Sequence, residues 1–266
     1  MKILFLFVDQ LRSNLLNLYN DQVKERGFDR SIKNIGGTLF TNCHTPAPNT
    51  SRSFGCLWSG KYPSKNGCHI GYPGFDLKDD IDNLVSMFTD TGFSFNYLVS
   101  AHEEIVGLFP KDIKSEGIRR SYLSTQPEDA LNKFIDDIKI SDDSITFISL
   151  YDFYVAMNRY GYNYKALDTC YELLSGGYNI VVNRLNIENF DIVVTFSDHG
   201  YKLDHEKGFE PFYKHSNSDR SQIFLHIYQK GDNELKRNDK FCSILDIFPT
   251  LANLSDMVIN NDIDGI

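Results

Sequence analysis

The chain has 266 residues, 41% hydrophobic and 24% charged, with a formal charge of -9. This balance fits an ordinary soluble globule with room for a sizeable core, and it excludes general nucleic-acid binding, which needs a basic footprint. An anionic substrate stays open, because a bound metal or a local arginine overrides the global field.

Ile3-Leu4-Phe5-Leu6-Phe7-Val8 is continuously apolar, the pattern of a central strand covered on both faces, and it is too short to span a bilayer. Asp9-Gln10-Leu11-Arg12 follows it. Ligands of open α/β sheets collect beyond the carboxyl ends of strands, so Asp9 is either a helix N-cap or a metal ligand. Ser13 to Lys24 reads as helix, Gly36-Gly37 breaks the chain, and Thr38 to Cys43 reads as a short strand. Two prolines, Pro46 and Pro48, then force an extended approach to Asn49-Thr50-Ser51-Arg52-Ser53. A short apolar helical segment opens there and stops at Ser59-Gly60-Lys61-Tyr62-Pro63. A hydroxyl at a helix mouth meets free N–H groups and the positive end of the helix dipole. That suits a nucleophile aimed at an anion, but on this stretch alone a plain N-cap is the better reading.

Asn83 to Thr91 reads as helix with Gly92 as its stop, and Phe93 to Val99 as a strand ending at Ser100-Ala101-His102. Pro127 to Ile138 is helical, and Ser144 to Leu150 is a strand running into Tyr151-Asp152. Tyr164 to Leu185 is helical unless Gly176-Gly177 breaks it. Asp191 to Phe196 is a buried strand that runs into Ser197-Asp198-His199-Gly200. Ile223 to Tyr228 is a further strand and Ser243 to Leu254 the last helix. The alternation predicts an α/β/α sandwich with a mostly parallel central sheet, in one domain over residues 1–266. Asp198 and His199 can converge on one divalent cation if the chain turns at Gly200; a solvated Asp and a core His at a strand end fit as well. Tyr151, Tyr154, Tyr160, Tyr162 and Tyr164 read better as a core helix and loop than as a sugar-stacking wall. Five scattered cysteines with no C-x-x-C imply neither a disulfide framework nor structural zinc, and fit a reducing, cytoplasmic location.

In their order along the chain, these stretches resemble the sulfatase and alkaline phosphatase superfamily. Asp9-Gln10-Leu11-Arg12 is close to the form seen in phosphonate monoester hydrolases and some sulfatases. Leu57-Trp58-Ser59-Gly60-Lys61-Tyr62-Pro63 is similar to the family's Leu-Leu-Thr-Gly-Arg-Tyr-Pro signature. Ile192 to Gly200 resembles the second metal-binding strand, and His215 with Ile223 to Ile227 the segment after it. Asp246-Ile247-Phe248-Pro249-Thr250-Leu251 is similar to the family's Asp-x-x-Pro-Thr helix, and Asp264-Gly265 to the Asp-Gly that follows. In sulfatases a Cys or Ser, oxidised to formylglycine, lies ten positions before the signature glycine, and here that position is Thr50. A threonine would give a ketone. The Thr-Ser-x-Ser text resembles instead the phosphodiesterase and phosphotransferase branches, lipoteichoic acid synthases above all.

The resemblance implies an alkaline-phosphatase-like fold with its C-terminal subdomain short or absent. It implies a phosphoryl-group transferase or phosphodiesterase acting on a glycan or lipid-head-group phosphoester. The alternatives are a sulfatase-like hydrolase of sulfate or phosphonate esters, and a non-catalytic binding relative. One divalent cation is implied, Zn²⁺ or Mn²⁺ rather than Ca²⁺, held by Asp9, Thr50, Asp198 and His199 with Gln10 as an extra oxygen ligand. Thr50 would be the nucleophile and Arg52 would grip a phosphoryl oxygen. His102 and His215 would protonate the leaving group or touch substrate. Asp152 follows the right strand for a second metal but has no histidine close behind it, so one metal is expected. His44, His69 and His205 are read as structural or solvated.

Overall fold

The computed structural model describes residues 1–68, 77–78, 80–111, 113–123, 127–152, 159, 164–201, 218–259 and 262–266. Its strands are β1 (Lys2–Asp9), β2 (Gly37–Phe40), β3 (Cys43–His44), β4 (Ser94–Ser100), β5 (Arg119–Tyr122), β6 (Ser144–Asp152), β7 (Ile192–Phe196), β8 (Leu225–Gln229), β9 (Leu235–Asn238) and β10 (Cys242–Ser243). Eight of them form one sheet in the order β5-β4-β6-β1-β7-β8-β2-β9, and β3 pairs with β10 alone. Only β8 runs against its neighbours β7 and β2. The expected α/β sandwich with a mostly parallel sheet is therefore the observed one.

The apolar run at the N-terminus becomes β1, between β6 and β7. Side chains alternate across a strand, so one run feeds two cores. Leu4, Leu6 and Val8 pack with Phe28, Ile32, Tyr171 and Tyr178, from the helices Gly27–Ile35 and Tyr164–Leu185. Ile3, Phe5 and Phe7 pack with Phe54, Trp58, Phe88 and Phe248, from the helices Thr50–Ser59, Leu84–Thr89 and Ile247–Leu254.

Several elements differ from expectation. The helix expected over Ser13 to Lys24 is only a short 3-10 turn at Ser13–Leu15. The asparagines compete with it: Asn17 Nδ2 donates to Val23 O, and Asn20 Oδ1 accepts from Gln22 N. The true helix starts at Gly27, where Asp29 Oδ2 accepts from Arg26 N in a capping box. The expected Ser243–Leu254 helix begins as a 3-10 turn at Ile244–Asp246. Gly176-Gly177 does not break the Tyr164–Leu185 helix; a Cβ on Gly177 would sit 3.5 Å from Leu150 O, so the glycine permits close helix–sheet packing. No helix among the described residues is long and apolar enough to cross a membrane.

One buried group gives the fold a pH dependence. His226 on β8 shares a 2.6 Å hydrogen bond with Gly36 O and is 1% exposed. Burial pushes its pKa from the ordinary 6.5 down to about 4, against the opposing pull of the Gly36 carbonyl and Asp232. The unfolded chain therefore takes up this proton first as pH falls. The stability contribution is full above the ordinary histidine value and is lost on the way down to the depressed one, by about 3 kcal/mol in total. Denaturant titrations at about pH 7 and about pH 4.5 are expected to show that loss, and His226→Gln to reduce it.

Candidate active site

The parallel strands deliver their carboxyl ends to one edge of the sheet. Asp9 ends β1, beside Asp152 in the ladder to β6. Asp198 and His199 follow β7 on the other side of β1. The β1–β6 register slips between Phe7 and Val8, a bulge next to the site. Just beyond, Gln10 adopts φ 58, the left-handed region that a non-glycine residue rarely enters. That turn aims its backbone N–H at Asp198 Oδ1, at 3.2 Å. The same oxygen accepts from His199 N at 2.8 Å.

Thr50 is the first residue of its helix. Asn49 is the N-cap and accepts from Arg52 N, so the cap role considered for Thr50 falls to its neighbour and leaves the Thr50 hydroxyl available. Phe54 fixes this helix on the sheet, edge-on to Phe7 with ring centroids 4.9 Å apart. Ser53 Oγ donates to Asp198 O at 2.8 Å and so ties the helix mouth to the end of β7.

Ligand atoms of Asp9, Asp198 and His199 lie within 4.8 Å of one another, and all three residues are buried. Thr50 Oγ1 is 3.4 Å from Asp9 Oδ1 and 3.4 Å from His199 Nε2. His199 Nδ1 is 2.8 Å from Gly200 O, an acceptor only, so Nδ1 carries the proton and donates. The other ring nitrogen, Nε2, faces Asp198 Oδ2, 3.3 Å away. Asp198 Oδ2 has no hydrogen-bond partner among the described residues. A carboxylate oxygen and a ring nitrogen facing each other in a dry site is an arrangement that a cation can bridge, and a carbonyl fixing the far ring nitrogen is how metal-ligating histidines are oriented. The donor set of two carboxylates, an imidazole and a hydroxyl suits a divalent ion of the Zn²⁺ or Mn²⁺ type.

The other expected site residues fare differently. The structure engages Gln10 through its main chain. Arg52 lies in the same first helix turn as Thr50, and its buried Nε has no hydrogen-bond partner among the described residues. His102 lies in the helix Ala101–Val106 after β4, two strands from β1, and is not one of the converging groups. His215, His69 and His205 lie outside the described residues. His44 stacks on Phe241.

Sequence reasoning missed the clip that holds these loops. The short helix Ser218–Ser221 receives Gly200 N on Arg220 O at 2.9 Å and Thr45 N on Ser221 O at 2.8 Å. Arg220 donates to Pro48 O at 2.6 Å, and Arg12 pairs with Asp219 at 2.8 Å. The one readable signal was Gly200. A Cβ there would meet Asp219 O at 2.0 Å. Gly200→Ala is expected to lower stability by about 1–3 kcal/mol and to displace the carbonyl that orients His199. Thermal unfolding with and without Mn²⁺ checks both effects.

The sequence model of the family described as Sulfatase matches residues 2–168. An endo-4-O-sulfatase of Bacteroides thetaiotaomicron is 26% identical over 138 residues, 47% of this chain and 26% of that protein. The chain thus spans about a quarter of that relative's length, and 24% of an ulvan-active sulfatase of Formosa agariphila. Among solved structures, a 2-O GAG sulfatase superposes with a TM-score of 0.73 at 13% identity, over 100% of this chain and 72% of the other. The phosphonate monoester hydrolase of Agrobacterium radiobacter does so with a TM-score of 0.72 at 14% identity, over 99% and 75%.

Proposed function

The chain belongs to the sulfatase family, and on that premise we propose that it hydrolyses sulfate or phosphonate esters, with Thr50 as the attacking hydroxyl beside a divalent cation held by Asp9, Asp198 and His199. The observation that carries this reading is the Thr50 hydroxyl, 3.4 Å from both an acid and an imidazole at the mouth of a helix. The names of the relatives favour this over the phosphoryl transfer expected first from the sequence, and they point to a sulfated glycan as the substrate class.

When bound, the cation would neutralise charge on the ester oxygens and make a neighbouring hydroxyl more acidic. Thr50 gives its proton along the contact to the Asp9 carboxylate, and its oxygen attacks the sulfur or phosphorus. The ester's alcohol leaves and collects a proton; His102, on the same sheet edge, and His215 are the candidates for that transfer. Water then attacks the same sulfur or phosphorus, releases the anion and restores the Thr50 hydroxyl. Arg52 and the first N–H groups of the helix supply positive potential for the anion. A formylglycine mechanism is not part of this proposal, because threonine cannot yield the aldehyde.

A second reading, transfer or cleavage of phosphodiesters, is kept because the residue at the nucleophile position is threonine. A panel of chromogenic sulfate, phosphonate and phosphodiester substrates, assayed with Mn²⁺ or Zn²⁺ and with chelator, separates the two. Sulfate or phosphonate cleavage that chelator removes is the expected result. Cleavage of phosphodiesters alone would move the assignment to the second reading, and no cleavage with no cation binding would leave a binding relative.

A further inference from the structure

Outside the site, two cysteines are set face to face. Cys43 and Cys242 are direct partners in the parallel ladder of β3 and β10. Adjacent strands lie about 4.8 Å apart, inside the roughly 4.4–6.8 Å Cα spacing that a disulfide spans. Both residues are free thiols here, and the Cys242 thiol points its hydrogen at Asn42 O, 3.9 Å away on the β3 side of the ladder. Their exposure differs: Cys43 is fully buried, whereas Cys242 is half-buried and reaches the surface next to the exposed Phe241. The remaining cysteines, Cys56, Cys68 and Cys170, are all buried.

We propose that Cys43 and Cys242 are a dithiol site that closes to an intramolecular disulfide by exchange with a small-molecule disulfide such as oxidised glutathione. Cys242 is the attacking thiol. The neighbouring Cys43 side chain holds its pKa below the usual thiol range, although burial and Asp246 oppose that shift. Burial keeps Cys43 protonated in turn. The Cys242 thiolate attacks one sulfur of the small disulfide and expels one small thiol, leaving a mixed disulfide. Cys43 then loses its proton and attacks the Cys242 sulfur, expelling the second small thiol. Two protein thiols are oxidised, and one small disulfide is reduced to two thiols.

The bond would join β3, which leads into the Thr45–Thr50 approach, to β10, which opens the Ser243–Leu254 segment. Because it closes a loop of most of the chain, the expected rise in thermal midpoint is roughly 5–10 °C. The test is incubation of the full chain with oxidised glutathione, acid quench, intact mass and peptide mapping. The expected result is a Cys43–Cys242 linked peptide, loss of two titratable thiols, the higher midpoint, and reversal by dithiothreitol. Cys43→Ser should stop at a glutathione adduct on Cys242, and Cys242→Ser should take up none. A persistent adduct on wild-type Cys242, a bond between other cysteines, or no reaction would overturn the proposal. The wild-type peptide map decides alone should either variant fail to fold.

Discussion

Thr50→Ala is expected to lower turnover by roughly 10³-fold or more, the scale seen when a covalent nucleophile is removed. The substitution should change stability by less than about 1 kcal/mol. Thr50 is only partly buried, and the helix mouth is capped by Asn49, not by Thr50. Phe54 and Phe7 go on holding the helix to the sheet. Thr50→Ser keeps an oxygen in the same place and should retain measurable activity. Rapid-quench mass spectrometry of wild type should find sulfate or phosphonate mass on the Thr50 peptide, an adduct absent from Thr50→Ala. Near-normal turnover in Thr50→Ala would remove the hydroxyl from the mechanism and leave water as the attacking group.

The second large effect concerns the cation. Mn²⁺ or Zn²⁺ at a hundredfold excess over its dissociation constant should stabilise wild type by about 2.7 kcal/mol, which for a chain of this size raises the midpoint by roughly 5–10 °C. Asp198→Asn should abolish that rise and most of the activity. The substitution keeps an acceptor for Gln10 N and His199 N, so the loop geometry survives. It removes one of two buried carboxylates whose oxygens lie within 4.8 Å. Like charges in a dry site repel, so the cation-free variant is expected to unfold at the wild-type temperature or above it. Thermal scans with cation and with chelator read both halves of the prediction. An unchanged cation response in Asp198→Asn would sink the proposed metal site.

The parts of the fold legible in the sequence were those whose side chains carry a pattern. Ile3 to Val8 of β1 is buried and reads as an unbroken apolar run, and β7 is buried throughout with Thr195 its one polar residue. β5, Arg119-Arg120-Ser121-Tyr122, and β9, Leu235-Lys236-Arg237-Asn238, escaped because they are the two edges of the sheet. Their pairing is made by backbone groups, and only Tyr122 among their side chains is buried, so neither carries an apolar run. The helix Gly27–Ile35 was legible in principle from the spacing of Phe28, Ile32 and Ile35, but Leu15, Leu18 and Tyr19 just before it also stand at helical spacing, and the asparagines among them turn the chain instead. In the site, Asp9, Asp198 and His199 stood out because each follows a strand, and Thr50 because it opens a helix. Ser53 did not. Its role is a bond to a carbonyl 145 residues away, and no local pattern encodes that. The clip at Ser218–Ser221 was hidden for the same reason: three of its contacts use main-chain oxygens, which carry no residue signature.

That clip has a consequence for how such a protein could be re-purposed. The stretches around the Thr50 hydroxyl are stitched to one another through main-chain groups at Thr45, Pro48, Gly200, Arg220 and Ser221, with Arg12, Ser53, Asp219 and Arg220 as the side chains involved, so the stitching tolerates most other changes of surrounding side chains. Loops that enter from outside this frame could be exchanged, lengthened or recombined while the chemistry stays in register. The frame thus works as a fixed chassis, and new substrate preferences can be grafted by swapping what is mounted on it.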